Sequence, residues 1–250
     1  MNLVLGGPIT HLRGAPFVDS AFTPRKLLAA VAATRQIEAE QAGMSTVAQR
    51  TGRAVQEWLM PSQVLSLRPE QTPMPAAPLH RGRKARIEDV LNRLGAELPE
   101  WEPLLTLPVR FALMRPANGA ISASSRAWPQ HVLLADDAFA SQVTLREQLV
   151  HELAHQWLYL VQEIWAFQER GGQGLTLPSG TGGRSAAEVI GATHVAAALI
   201  VMYATVGGAP PGRVDHLRWY GTGCLDLLAA IDTDLTEAGR QVARRLREAF

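Results

Sequence analysis

Thr144-Leu-Arg-Glu-Gln-Leu-Val-His-Glu-Leu-Ala-His-Gln-Trp-Leu158 is the stretch from which the rest of the chain can be organised. Thr144 and Glu147 have the spacing of a capping box, which predicts a helix that starts just before the motif and runs to about Gln168. Leu149, Val150, Leu153, Trp157 and Leu158 give that helix apolar neighbours, the context in which a buried helix forms. His151 and His155 stand four residues apart, so their imidazoles project from one face on successive turns. Two neutral ring nitrogens placed in this way can bind one divalent transition metal. Glu152 follows one residue on, turned about 100° around the helix, near such a metal without having to ligate it. Together they read H-E-x-x-H. With 7 His and 15 Glu among 250 residues, chance supplies about 0.01 such matches. The alternative is two hydrogen-bonded histidines on a helix surface; the rarity of the pattern favours a metal site.

Around this segment the sequence reads as mainly helical. Residues 27–41 are rich in Ala, Leu and Glu and stop at Gly43; Ser45 is placed to cap a second helix that ends by Pro61. Pro69, Pro73, Pro75 and Pro78 interrupt regular structure. The basic run at residues 80–86 predicts a solvated face, with anion binding as the rarer alternative, and residues 87–94 a short amphipathic helix. Residues 109–114 and 131–135 predict two strands separated by a turn-like stretch at 120–129. Six glycines within residues 171–183 mark a loop. Residues 185–204 predict a strongly apolar helix, residues 207–212 a break, and two further helices close the chain. The expected fold is helix-dominated α+β, mainly α with a small β-sheet next to the central helix. Residues 1–100 are expected to form a helical N-terminal region able to bind substrate, and residues 101–250 the metal-binding catalytic region, the two making one compact unit.

Composition narrows the function. The chain is 47% hydrophobic and 19% charged, enough apolar material for a real core. Lys and Arg number 24 against 23 Asp and Glu, a balance that argues against a nucleic-acid partner. A single cysteine, Cys224, cannot form an internal disulfide. The first residues carry no basic segment followed by a long apolar one, and residues 195–206, the most apolar stretch, are too short to span a bilayer. A cytoplasmic protein without a membrane partner is expected.

Two histidines do not complete a metal site. Glu188 and His194 are the attractive downstream candidates, because each lies on the apolar helix, where an unpaired polar group is expensive. They stand about 120° apart around it, so both are not expected to ligate. Glu188 gives two His and one carboxylate, suited to a zinc peptidase in which Glu152 is the general base on a zinc-held water. His194 gives three imidazoles. A non-catalytic interaction module, with Trp157, Trp165 and Phe167 as a partner surface, is the third class; at helical spacing such residues more often form core.

Beyond the motif, Ile121-Ser-Ala-Ser-Ser-Arg126, His131-Val-Leu-Leu-Ala135 and Leu149-Val-His-Glu-Leu-Ala-His155, followed by Arg184, Gly191-Ala-Thr-His194 and Leu235-Thr-Glu-Ala-Gly-Arg240, resemble the HExxH-type peptide β-hydroxylases. These are iron- and 2-oxoglutarate-dependent enzymes that tailor ribosomally made peptides. The resemblance spans roughly residues 120–245. It implies Fe(II) held by His151, His155 and His194, 2-oxoglutarate at open positions beside the metal, and a precursor peptide as substrate. It further implies a cation for the distal carboxylate of the keto acid, a task that suits the planar guanidinium of Arg184 or Arg126. Glu152 then orients a ligand histidine or a bound water.

Overall fold

The structure is a computed structural model that describes residues 6–44, 56–67, 73–169, 172 and 174–250. In chain order the elements are α1 (Pro8–Leu12), α2 (Pro24–Gln41), α3 (Pro61–Leu67), β1 (Ala76–Ala77), α4 (Arg81–Glu97), α5 (Glu102–Leu105), β2 (Arg110–Met114), β3 (Ser122–Ser125), β4 (Trp128–Leu134), α6 (Gln142–Ile164), α7 (Ala186–Val206), α8 (Arg213–Ala230) and α9 (Glu237–Arg247). Among the described residues the protein is 60% helical with one four-stranded mixed sheet, the helix-dominated α+β class expected. The helix expected from Ser45 lies largely outside the described residues. Backbone contacts gather into two compact units, Arg25–Ile164 and Met1–Pro24 with Trp165–Phe250.

In the unit of residues 25–164 the sheet has the order β1-β2-β4-β3. β2 and β4 pair in parallel, Arg110 opposite His131, and β1 and β3 flank them antiparallel. The apolar run Val132-Leu133-Leu134 forms the fully buried interior of β4, as a strand covered on both faces requires. Ser122–Ser125 corrects the turn reading: only Arg126 and Ala127 turn the chain, and the serines form an edge strand. Small polar residues have little strand propensity of their own, so it is pairing with β4 that imposes the conformation.

The cap of α6 is Ser141, three residues upstream of the expected Thr144; its Oγ accepts from Thr144 N at 2.9 Å. The helix stops at Ile164, leaving Trp165 and Phe167 outside it. Trp157 is fully buried and donates to Leu104 O at 2.8 Å, and Phe167 is 2% exposed; neither offers a partner surface. The basic run forms the start of α4, capped by His80, and is largely a solvated face, with His80, Arg81, Lys84 and Arg86 exposed. Arg83 pairs with Asp136, Arg86 donates to Phe139 O at 2.8 Å, and both guanidinium groups lie over the Phe139 ring.

Buried polar contacts fix α6. Arg35 on α2, 0% exposed, forms a two-bond pair with Glu163 (Nε to Oε2 2.9 Å, Nη2 to Oε1 2.8 Å) and also donates to Gln130 Oε1 at 2.6 Å. Gln130 sits in the irregular part of β4 with φ 55, a conformation that costs about 1–3 kcal/mol in a non-glycine residue. Its amide donates to Leu59 O and Pro108 O, and its backbone N–H to Gln156 Oε1 at 2.8 Å. Gln156 in turn donates to His131 O at 2.9 Å. Every strong donor in this set has an acceptor, the condition under which a buried polar network holds one conformation.

In the other unit, α7 starts at Ser185 with a complete Ser185–Glu188 capping box and packs on α8 and α9. It has 21 residues with mean hydropathy 1.9 in its most apolar window, long and apolar enough by length and composition to cross a membrane. That corrects the expectation of a segment too short to span. However, 72% of that window is buried inside the protein, and the helix serves as core.

The segment Leu235–Arg240 is a packing device. Leu235 is buried, and Thr236 caps α9 by accepting from Gly239 N at 3.1 Å. Thr236 Oγ1 also donates to Ala166 O at 2.5 Å, and Arg240 donates to Leu235 O at 2.7 Å. A Cβ on Gly239 would lie 2.0 Å from Phe167 O, a backbone atom that cannot swing away. Gly239→Ala is therefore expected to destabilise the protein by about 1–3 kcal/mol, the usual cost of forced overpacking, measured as a lower urea midpoint.

Candidate metal centre

The site is built on α6. One face of this helix supplies core residues: Leu145, Leu149, Val150, Leu153, Trp157 and Leu160. Another carries a polar stripe at helical spacing, Gln148, His151, Glu152, His155, Tyr159 and Gln162. His151 and His155 have ring centroids 5.0 Å apart at 66°, and Tyr159 stacks on His155 at 5.9 Å. A metal–nitrogen bond of about 2.1 Å, with roughly 1.2 Å more to each ring centre, puts two imidazoles on one ion about 4.7–5.4 Å apart for angles between about 90° and 110°. The observed separation falls in that range. The His151 side chain is 36% exposed, so the ring is reachable, while the apolar side of the same helix is buried.

Glu152 contrasts with its neighbour. Its side chain is 2% exposed, and Oε1 lies 3.8 Å from His151 Nε2. Ser122 Oγ on β3 stands 2.5 Å from that same oxygen and 2.6 Å from Gln148 Oε1. Oε2 is buried and has no hydrogen-bond partner among the described residues. A buried carboxylate with one oxygen held and the other lacking a donor is not a packing solution; replacement by an apolar side chain is often neutral or better.

The remaining candidates are placed as follows. Arg126 donates to Gln162 Oε1 at 3.0 Å, a neutral amide, and forms no ion pair among the described residues. Arg184 is ion-paired with Glu188 at 2.8 Å. Glu188 has both oxygens engaged, Oε1 by Arg184 and Oε2 by the backbone and hydroxyl of Ser185. Burial pushes its carboxyl pKa up, and the Ser185 and Arg184 donors outweigh that and hold it below the usual carboxylate range. His194 is fully buried on α7, with Nε2 2.7 Å from Pro16 O. A carbonyl acceptor on one ring nitrogen serves a structural histidine and also orients a ligand histidine.

The structure thus places His151 and His155 side by side with Glu152 adjacent. Among the described residues, no three His, Cys, Asp or Glu side chains are grouped as a ligand set. Sequence reading gave no role to Ser122, Gln148 or Tyr159. The signal for Gln148 and Tyr159 was present, since each continues the helical stripe three or four residues from a histidine. Ser122 carried none, because its meeting with Glu152 depends on where β3 lies. No protein-family model matches this chain, and no curated protein is significantly similar to it.

Proposed function

We propose that this chain is an Fe(II)- and 2-oxoglutarate-dependent hydroxylase acting on a side-chain β-carbon of a ribosomally made peptide in the cytoplasm. The observation that supports the metal is the His151–His155 pair, two imidazoles at a separation compatible with one ion, with His151 exposed to 36%. Iron, the keto acid and His194 as third ligand rest on the resemblance of residues 120–245 to the peptide β-hydroxylases. A free, buried Cys224 suits a reducing compartment.

Bound iron and 2-oxoglutarate supply the oxidising chemistry. The chain's own part is to hold and orient. His151 and His155 donate nitrogen lone pairs from one rigid helix. Of the two arginines, Arg126 is the better holder of the distal carboxylate, because its present partner is a neutral amide whereas Arg184 already faces Glu188. Glu152, buried and held by Ser122, is an orienting group and needs no acid or base role.

The experiment is anaerobic purification, metal determination, and measurement of succinate released on adding Fe(II), 2-oxoglutarate and air. About one iron per chain and keto-acid-dependent succinate are expected, with iron lost in His194→Ala and kept in Glu188→Ala. Retained zinc, no succinate, and peptide cleavage stopped by a zinc-selective chelator would replace this reading with the hydrolytic one.

A further inference from the structure

We propose that Ser122 is a positioning residue for Glu152 and, through it, for a protic ligand at the metal centre, an assignment that rests on the metal reading above. The argument starts from proton counting. Ser122 Oγ lies 2.5 Å from Glu152 Oε1 and 2.6 Å from the side-chain oxygen of Gln148. A hydroxyl has one proton and can serve only one of these acceptors. The carboxylate takes it, because a charged acceptor forms the stronger bond and O–H···O⁻ contacts fall near 2.5–2.7 Å. Gln148 must then present its NH₂ to the serine oxygen, the other orientation of the same amide. The three side chains form a directed relay from Gln148 through Ser122 to Glu152, running from α6 to the edge strand β3 and back.

This relay fixes Oε1 and leaves Oε2, buried and without a partner among the described residues, as the acceptor still to be satisfied. An unmet buried oxygen costs roughly 1–3 kcal/mol, more when charged. The arrangement is complete once a water or hydroxyl group donates to Oε2. β3 is already held by its pairing with β4, which Gln156 ties to α6 through Gln130 N and His131 O, and an apolar pair in place of Ser122 and Glu152 would join strand and helix without a buried charge.

The test uses the full chain loaded with Co(II), whose visible absorption reports ligand geometry, in native, Ser122→Ala, Ser122→Thr and Glu152→Gln forms. Ser122→Ala is expected to bind one cobalt with less than tenfold loss of affinity while its absorption maximum moves in the direction seen for Glu152→Gln. Ser122→Thr, which keeps the hydroxyl on a residue that strands favour, is expected to restore the native spectrum. If Ser122→Ala fails to fold, Gln148→Met, which removes the donor to the serine oxygen, is expected to move the maximum the same way. A native spectrum in Ser122→Ala, or in Gln148→Met where that variant stands in, overturns the positioning role alone, as does a Glu152→Gln spectrum identical to native. Failure of the native protein to bind cobalt overturns this role and the metal reading together.

Discussion

His151→Ala and, separately, His155→Ala are expected to bind Fe(II) at least ~100-fold more weakly than the native chain. Losing even an outer-shell partner of a metal ligand costs about 10–100-fold in affinity, and a ligand itself costs more. The two rings come from one helix at a centroid separation of 5.0 Å, so neither can be replaced by a neighbour swinging in. The substitution at His151 is the more informative, because that ring is the one shown to be well exposed. With the His151 side chain 36% exposed, truncation should change stability by no more than about 0.5 kcal/mol, as for other surface positions. Equilibrium dialysis with iron under nitrogen, beside a thermal melt of each variant, separates the effects. Variants that melt like the native chain and still bind iron within tenfold of its affinity would remove the metal centre from this helix.

Glu163→Gln is expected to have the largest effect on stability. It leaves the Arg35 guanidinium, 0% exposed, without its carboxylate in a place where water cannot replace it. Removing one partner of such a pair costs about 3–5 kcal/mol. At roughly 2–4 °C per kcal/mol for a chain of this size, the melting temperature should fall by about 6–20 °C. The double replacement Arg35→Met with Glu163→Met should recover part of that loss, since an apolar pair carries no stranded charge while Gln130 Oε1 and Trp58 O lose their donor. Calorimetry of the native, single and double variants checks both statements. A Glu163→Gln melt within about 2 °C of native would show that the pair is solvated and that another contact holds α2 to α6.

How much could be read in advance depends on how local each cause is. The central helix was legible because its periodicity, its HExxH spacing and its apolar flanks all lie within a few turns. Its exact start was not, since Ser141 and Thr144 both offer a capping hydroxyl and only the chain's entry direction selects between them. The strand through His131–Ala135 announced itself by an unbroken apolar run. The strand at Ser122–Ser125 did not, because serine and alanine have no strand preference until β4 supplies partners. The basic run at 80–86 is largely solvated, as its charge predicts, but its surface contacts to Asp136 and Phe139, residues more than fifty positions away, were not legible.

The site divides along the same line. Sequence by itself determined that two imidazoles stand on successive turns of one helix with a carboxylate beside them, because a helix converts a spacing of four into a shared face whatever surrounds it. Only the tertiary structure decided that Glu152 is buried beneath an edge strand with one oxygen held by Ser122, that Arg126 meets a neutral amide while Arg184 meets Glu188, and that Arg35 is sealed against Glu163. Those are encounters between residues far apart along the chain. They follow from which surfaces pack together, and no periodicity in the sequence encodes that.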